Sequence, residues 1–103
     1  MQNFKSYYAV IFTSTVSDNT SGYGEMAKKM EELAKKQSGF LGFESAREEI
    51  GVTVSYWESL EAIKAWKRNT EHLAAQRKGQ NQWYSWYKTR ICKVEHEYEF
   101  NLP

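Results

Sequence analysis

A single cysteine, Cys92, excludes an internal disulfide and fits a reducing compartment. No apolar run approaches the roughly 18 residues needed to span a bilayer. The first fifteen residues carry Lys5 and then alternate, without the apolar core of a signal peptide. The chain is therefore expected to be soluble and cytoplasmic, with no membrane partner. Neither sign of charge is in excess: 14 basic and 13 acidic residues are mixed along the chain and leave a net charge of +1. With no basic block and no acidic tail, nothing points to nucleic acid. Catalytic signatures are missing too, since there is no glycine-rich phosphate loop, GxSxG, HExxH or CxxC. His72 and His96 have no spacing with carboxylates that recommends a metal site, so no metal is expected. Cys92, beside Ile91 and Val94, reads as a packed thiol and not as a nucleophile.

Leucine is also scarce, limited to Leu33, Leu41, Leu60, Leu73 and Leu102, and aromatics take its place. Seven of them crowd into positions 56 to 87: Tyr56-Trp57, Trp66, Trp83-Tyr84 and Trp86-Tyr87. All four tryptophans are among them, and each brings an N–H that needs a partner when buried. Such a balance points to a cavity or an interface lined by flat rings. At 103 residues the chain reads as one domain spanning 1–103, and a domain of this size is one that a second copy readily supplements.

The periodicity defines the elements. Ser6 to Thr15 is a strand that is apolar on both faces, with Tyr7, Ala9 and Ile11 on one and Tyr8, Val10 and Phe12 on the other. Thr13 to Gly24 is loop-like. Tyr23, Met26, Ala27, Met30, Leu33 and Ala34 then recur at helical spacing, and Gly39 follows as a helix-ending glycine. Phe40 to Glu48 and Gly51 to Glu58 read as two strands joined by a tight turn. Ser59 is an N-cap for a second helix with Leu60, Ile63 and Trp66 as its stripe. Asn69-Thr70 is expected to interrupt that helix and to cap a short third one. The final segment, Trp86 to Phe100, changes phase between Ile91 and Cys92, which predicts a bulge or a change of pairing partner.

The order β-α-β-β-α-β predicts an α+β, ferredoxin-like fold with four antiparallel strands and two helices on one face. Because the first strand is apolar on both faces, the other face needs a cover, and a second copy of the chain is the economical one.

Three strings resemble the antibiotic biosynthesis monooxygenase (ABM) domain family: GFLGFES from Gly39, VSYWESLEAIKAWKRNTEHLAAQRKG from Val54, and WYSWYKTRICKVEHEYEF from Trp83. The similarity is to its small stand-alone bacterial members and covers nearly the whole chain, with Trp57, Trp66, His72 and Gly79 at the matching spacing. The resemblance implies a homodimer, an α/β barrel built from two ferredoxin-like units. It also implies one of two chemistries. Some members oxidise aromatic polyketides or quinols with oxygen and no metal or flavin; others bind and degrade haem through a histidine ten residues after the helix-two tryptophan. Trp66 matches that tryptophan, but Gln76 stands at the ligand position, and His72 is displaced from it by roughly 6 Å along a helix. Haem is therefore disfavoured, and no cofactor is expected.

On the cofactor-free reading, a phenolic or quinol-type aromatic substrate must lose a proton before it can pass an electron to oxygen, and the pocket must be dry. His72 is the base candidate because histidine titrates near neutrality, and Trp66 completes the catalytic pair. Tyr56, Trp57 and Trp83 would supply flat walls, with Gln76 beside them and Arg77 to stabilise a developing oxyanion. The bland readings stand alongside: Trp66 as a core residue, His72 as a surface residue or cap, and Trp83, Trp86 and Tyr87 as a dimer seam. A non-enzymatic module holding a small hydrophobic ligand in the same pocket is the alternative function.

Overall fold

Residues Tyr7–Val16 alternate bulky aromatic and β-branched side chains with no helical period, and they form β1, the second strand from one edge of the sheet. The computed structural model describes residues 4–76 and 83–103, leaving aside the side chains of 72–76. The remaining elements are α1 (Tyr23–Lys35), β2 (Phe40–Arg47), β3 (Gly51–Trp57), α2 (Leu60–Gln76) and β4 (Tyr84–Val94). The sheet is antiparallel with order β2-β3-β1-β4, the ferredoxin-like arrangement expected from the element order. Among the described residues no helix is long and apolar enough to cross a membrane.

Strand pairing assigns every side chain to a face, since directly opposed residues point the same way. One face carries four lateral rows. They are Phe40–Trp57–Tyr8–Lys93, Phe43–Ser55–Val10–Ile91, Ser45–Thr53–Phe12–Thr89 and Arg47–Gly51–Ser14–Tyr87. Both helices meet the sheet on this face, through Trp66 on Trp57 and Tyr23 on Tyr84. Trp57, Ile63 and Ala34 are buried between the layers, while Leu60, expected on the buried stripe of α2, is exposed. The opposite face, which we call the open face, presents Tyr7, Ala9, Ile11, Val52, Val54, Tyr56, Trp86, Cys92 and Val94, with the charged Glu44, Lys88 and Arg90 among them. Beyond β4, residues 95–103 continue with Tyr98, Phe100 and Leu102 almost fully exposed.

Local chemistry accounts for the boundaries. Gly22 precedes α1 in the left-handed region at φ 80°, a conformation that costs glycine nothing. Ser59 caps α2 as expected, its Oγ accepting from the Ala62 N–H at 3.1 Å.

Two expectations are corrected. Asn69 and Thr70 do not interrupt α2, because each bonds back within the helix: Asn69 Nδ2 donates to the Ala65 carbonyl at 3.1 Å and Thr70 Oγ1 to that of Lys67 at 2.8 Å. A carbonyl has two lone pairs, so it can accept the side chain and still keep its helical N–H bond. Asn69 also donates to Gln37 Oε1 at 3.0 Å, which ties α2 to the end of α1. The phase change at Ile91-Cys92 is likewise no bulge, for these residues pair in unbroken register with Val10 and Ala9. The apolar side chains simply pass from one face of the strand to the other. The irregularity lies at the far end of β4, opposite Thr15 and Val16, where Ser85 is the extra residue and its hydroxyl bonds Thr15 Oγ1 at 2.7 Å.

Two outcomes test this description. Ser59→Ala is expected to lower stability by about 1 kcal/mol, read from the urea midpoint at unchanged slope. The second concerns the Tyr7 hydroxyl, which donates to the Glu97 carboxylate. That bond holds the phenolic proton, with lesser contributions from burial and nearby negative charge, and its pKa is pushed up to about 12 from 10.0. Below pH 10 both folded and unfolded chains keep this proton; between 10 and about 12 only the unfolded chain loses it. Stability should therefore fall as pH rises through that window, and Tyr7→Phe should shallow the fall. Tyrosinate absorbance should show one phenol fewer titrating late in that variant.

Candidate functional site

At one end of the helix-covered face, the last residue of β3 meets the second turn of α2. The Trp57 ring is wholly buried and stacks on Trp66 with centroids 5.7 Å apart and planes 28° from parallel. Phe40 meets Trp57 edge-on at 5.3 Å, and the indole N–H donates to Ser55 Oγ at 2.9 Å, so no polar group is left without a partner. Trp66 is only half-buried. The two tryptophans expected together are thus brought together with different roles: Trp57 has no surface left for a ligand and backs Trp66, which does.

The other end, roughly 20 to 27 Å along the strands at ~3.4 Å per residue, holds Tyr23, Tyr84, Phe12 and Tyr87, which sequence reasoning missed as site residues, beside the expected Trp83. Tyr84 and Tyr23 meet edge-on with hydroxyls 3.5 Å apart, and Phe12 packs against both Tyr84 and Tyr87 at 5.3 and 5.4 Å. Trp83 stands edge-on to Tyr23 at 5.8 Å and donates its N–H to the Ser21 carbonyl at 2.6 Å. Burial pushes the Tyr84 phenol well above its usual range, its bond with Tyr23 adds to this, and the Arg47 charge opposes it. Tyr84 therefore stays protonated, a hydrogen-bond donor, through neutral pH.

Between the two ends, the floor on this face is made by Val10, Ser55, Phe12, Thr53, Thr89 and Ile91. The helix backbones lie nearest β2 and β3, and Tyr23 of α1 reaches over to Tyr84 of β4. On the β4 side Ile91 and Tyr87 remain 53% and 61% exposed, so an uncovered strip of rings and small hydroxyls, which we call the trough, is left along β1 and β4. A separate depression of about 300 Å³ lies outside this face, among Gln37, Gly39, Glu58, Ser59 and Ala62. It is lined by none of the rings described, so the trough is the better site.

The remaining expected residues are dispersed. Tyr56 is adjacent to Trp57 in sequence but pairs with Ala9 on the open face, where its ring meets Tyr7 at 5.9 Å and its hydroxyl donates to Glu44 at 3.4 Å. Tyr56 and Trp57 do not share a wall. Trp83 belongs to the Tyr23 end of the trough, away from Trp57. His72 and Gln76 lie in the helical backbone of α2 with side chains left aside, and Arg77 lies outside the described residues. His96 is placed beyond β4 with its ring 6.2 Å from Phe4, and Cys92 is exposed on the open face. Among the described residues no group of three or more His, Cys, Asp or Glu is placed to hold a metal.

Comparison with known proteins agrees with this architecture. The antibiotic biosynthesis monooxygenase family model matches residues 6–78. The uncharacterized protein YqjZ of Bacillus subtilis is 53% identical over 93 residues, covering 88% of this chain and 82% of its own length. Among solved structures, SnoaB, a cofactor-independent oxygenase from Streptomyces nogalater, superimposes with a TM-score of 0.72 at 11% identity over 91% of this chain and 97% of its own. MhuD, solved with two manganese protoporphyrin IX molecules per active site, gives 0.61 at 23% identity over 91% and 98%. At these identities the structural likenesses speak to the fold alone. The family match and the YqjZ identity go further: the chain belongs to the antibiotic biosynthesis monooxygenase family.

Proposed function

We propose that this protein is a small oxygenase that acts on a phenolic or quinol-type aromatic molecule using molecular oxygen and no bound cofactor. The observation that carries the reading is Trp66, a half-buried indole held rigid by the fully buried Trp57 at the head of an open trough of rings and hydroxyls. A flat substrate is recognised by flat walls and a few oriented polar groups, and the trough offers both. Family membership supports the same chemistry, and SnoaB, a cofactor-independent oxygenase, shows that the fold can host it.

In this reading His72 takes the hydroxyl proton and makes the ring electron-rich enough to reduce oxygen. Trp66 and the rings along the trough hold the substrate flat, and the bound substrate itself must cover the open strip to keep water from the radical pair. Arg77 and Gln76 stabilise the developing oxyanion, and Trp83 closes the Tyr23 end of the trough. For a ring methylene, one oxygen atom becomes the new carbonyl and the other leaves as water with the two hydrogens lost from carbon. A ligand-binding module would use the same walls without turnover.

A second copy covers the open face in this proposal. That face carries Ile11, Val52, Val54, Cys92, Val94 and Trp86, and Trp86 is 47% exposed. Exposed apolar surface of this kind marks an interaction site, and the segment after β4, with Tyr98 and Phe100 exposed, extends beyond the sheet. Light scattering should give twice the 12.1 kDa chain mass, and Val54→Asp should give the monomer.

Oxygen uptake with a panel of quinols and anthrone-like phenols tests the activity. The native protein should consume oxygen with at least one of them, and neither a chelator nor added flavin should change the rate. His72→Ala is expected to slow turnover about a hundredfold; Trp66→Phe should raise KM more than it lowers kcat. Uptake unchanged in both variants would remove the assigned roles. Tight binding without uptake would leave the binding module as the function.

A further inference from the structure

We propose that Arg47, laid across Gly51 and held by Ser14, forms with the Tyr23 and Tyr84 hydroxyls a subsite for a carboxylate carried by the aromatic ligand. The proposal rests on the aromatic-ligand reading above and adds where the charged end of that ligand sits.

The subsite is built by one lateral row of the sheet, Arg47–Gly51–Ser14–Tyr87. Because Gly51 contributes no side chain to the row, the Arg47 side chain lies over it and reaches the next strand but one. A Cβ at Gly51 would overlap the guanidinium. On arrival Nη2 donates to Ser14 Oγ and Nη1 to the Ser14 carbonyl at 3.4 Å, while Cζ stands 5.8 Å from the centre of the Tyr23 ring. Ser14 itself is wholly buried. A buried hydroxyl is costly unless bonded, and a long charged side chain loses rotamer freedom when fixed. Each meets the other's need, and the guanidinium is held in place on the face that carries the trough.

Its charge is not matched by an acid. Among the described residues the ion pairs are Lys35 with Glu31 and Lys67 with Glu71, and Arg47 pairs with neither Glu48 nor Glu49 next to it in sequence. A guanidinium has five N–H donors in a planar fork suited to a carboxylate, and Ser14 engages two of them. The hydroxyls of Tyr23 and Tyr84 lie 3.5 Å apart on the same side of the sheet, and Phe12, Tyr84 and Tyr87 place three rings within 6 Å of one another. Tyr84 donates its proton to Tyr23 and burial keeps that proton on, so the Tyr23 hydroxyl is the one left to donate to a ligand. An arginine with no acidic partner among the described residues, held toward Ser14 beside a phenolic donor and flat rings, is complementary to an aromatic acid.

The test is calorimetric titration of the full chain with 2-naphthoate and with its neutral isostere 2-naphthamide. The native protein should bind the acid at least tenfold more tightly. Arg47→Met should abolish that preference, and so should Gly51→Ala, which displaces only the flexible end of a side chain; each should weaken the acid far more than the amide. Equal affinities in the native protein, or a preference that survives both substitutions, overturn the carboxylate subsite and leave the aromatic trough standing. Loss of amide binding in parallel with acid binding assigns Arg47 a purely structural role, which also overturns it. If neither compound binds, the subsite and the trough fall together.

Discussion

The two-residue repeat of the β-strand is the constraint on which the rest of this molecule depends. Side chains that are neighbours in sequence must leave a strand on opposite faces. The chain sets aromatics side by side at Tyr7-Tyr8, Tyr56-Trp57 and Trp86-Tyr87. In each pair one ring goes to the helix-covered face and the other to the open face. A run of aromatics that looks like one cluster is therefore two populations, separated by the thickness of a sheet. One lines a trough, and the other lies on a surface without a helix.

On the covered face the contact between Trp57 and Trp66 carries the most weight. Removing a buried tryptophan ring typically costs ~3–5 kcal/mol, against a total stability of ~5–15 kcal/mol for a domain. The same contact sets where α2 crosses the sheet, and so where the half-buried ring of Trp66 stands. Stability and the candidate site are thus coupled through a single pair of rings. At the opposite end, the site is organised by a polar contact across the sheet, from Arg47 to Ser14.

Much of the fold was legible because it follows from local chemistry. Ser59 ahead of an apolar stripe marked the start of α2, and the bulky, β-branched run from Tyr7 marked β1 as a strand. Asn69-Thr70 misled because the same side chains that cap a helix can bond back inside one, and the residue type does not distinguish the two. The phase of β4 misled for a related reason. A strand whose apolar side changes along its length has the same one-dimensional signature as a bulge.

The site was legible only where it rests on one element and its neighbour, as with Trp57 and Trp66. Arg47 and Ser14 are 33 residues apart, and nothing in their flanking residues announces a contact. Gly51, read locally, is a turn glycine; its second consequence, a gap over which an arginine lies, exists only when β2 and β1 flank β3 in register. Period, capping and composition are local properties, so the order of elements, the fold class and the aromatic character of the protein could be read from the chain alone. Which rings share a face, which tryptophan keeps a free surface and which charge meets which hydroxyl depend on lateral register and helix docking. Those are set by contacts between residues far apart in the chain, and they come into being only when the sheet closes.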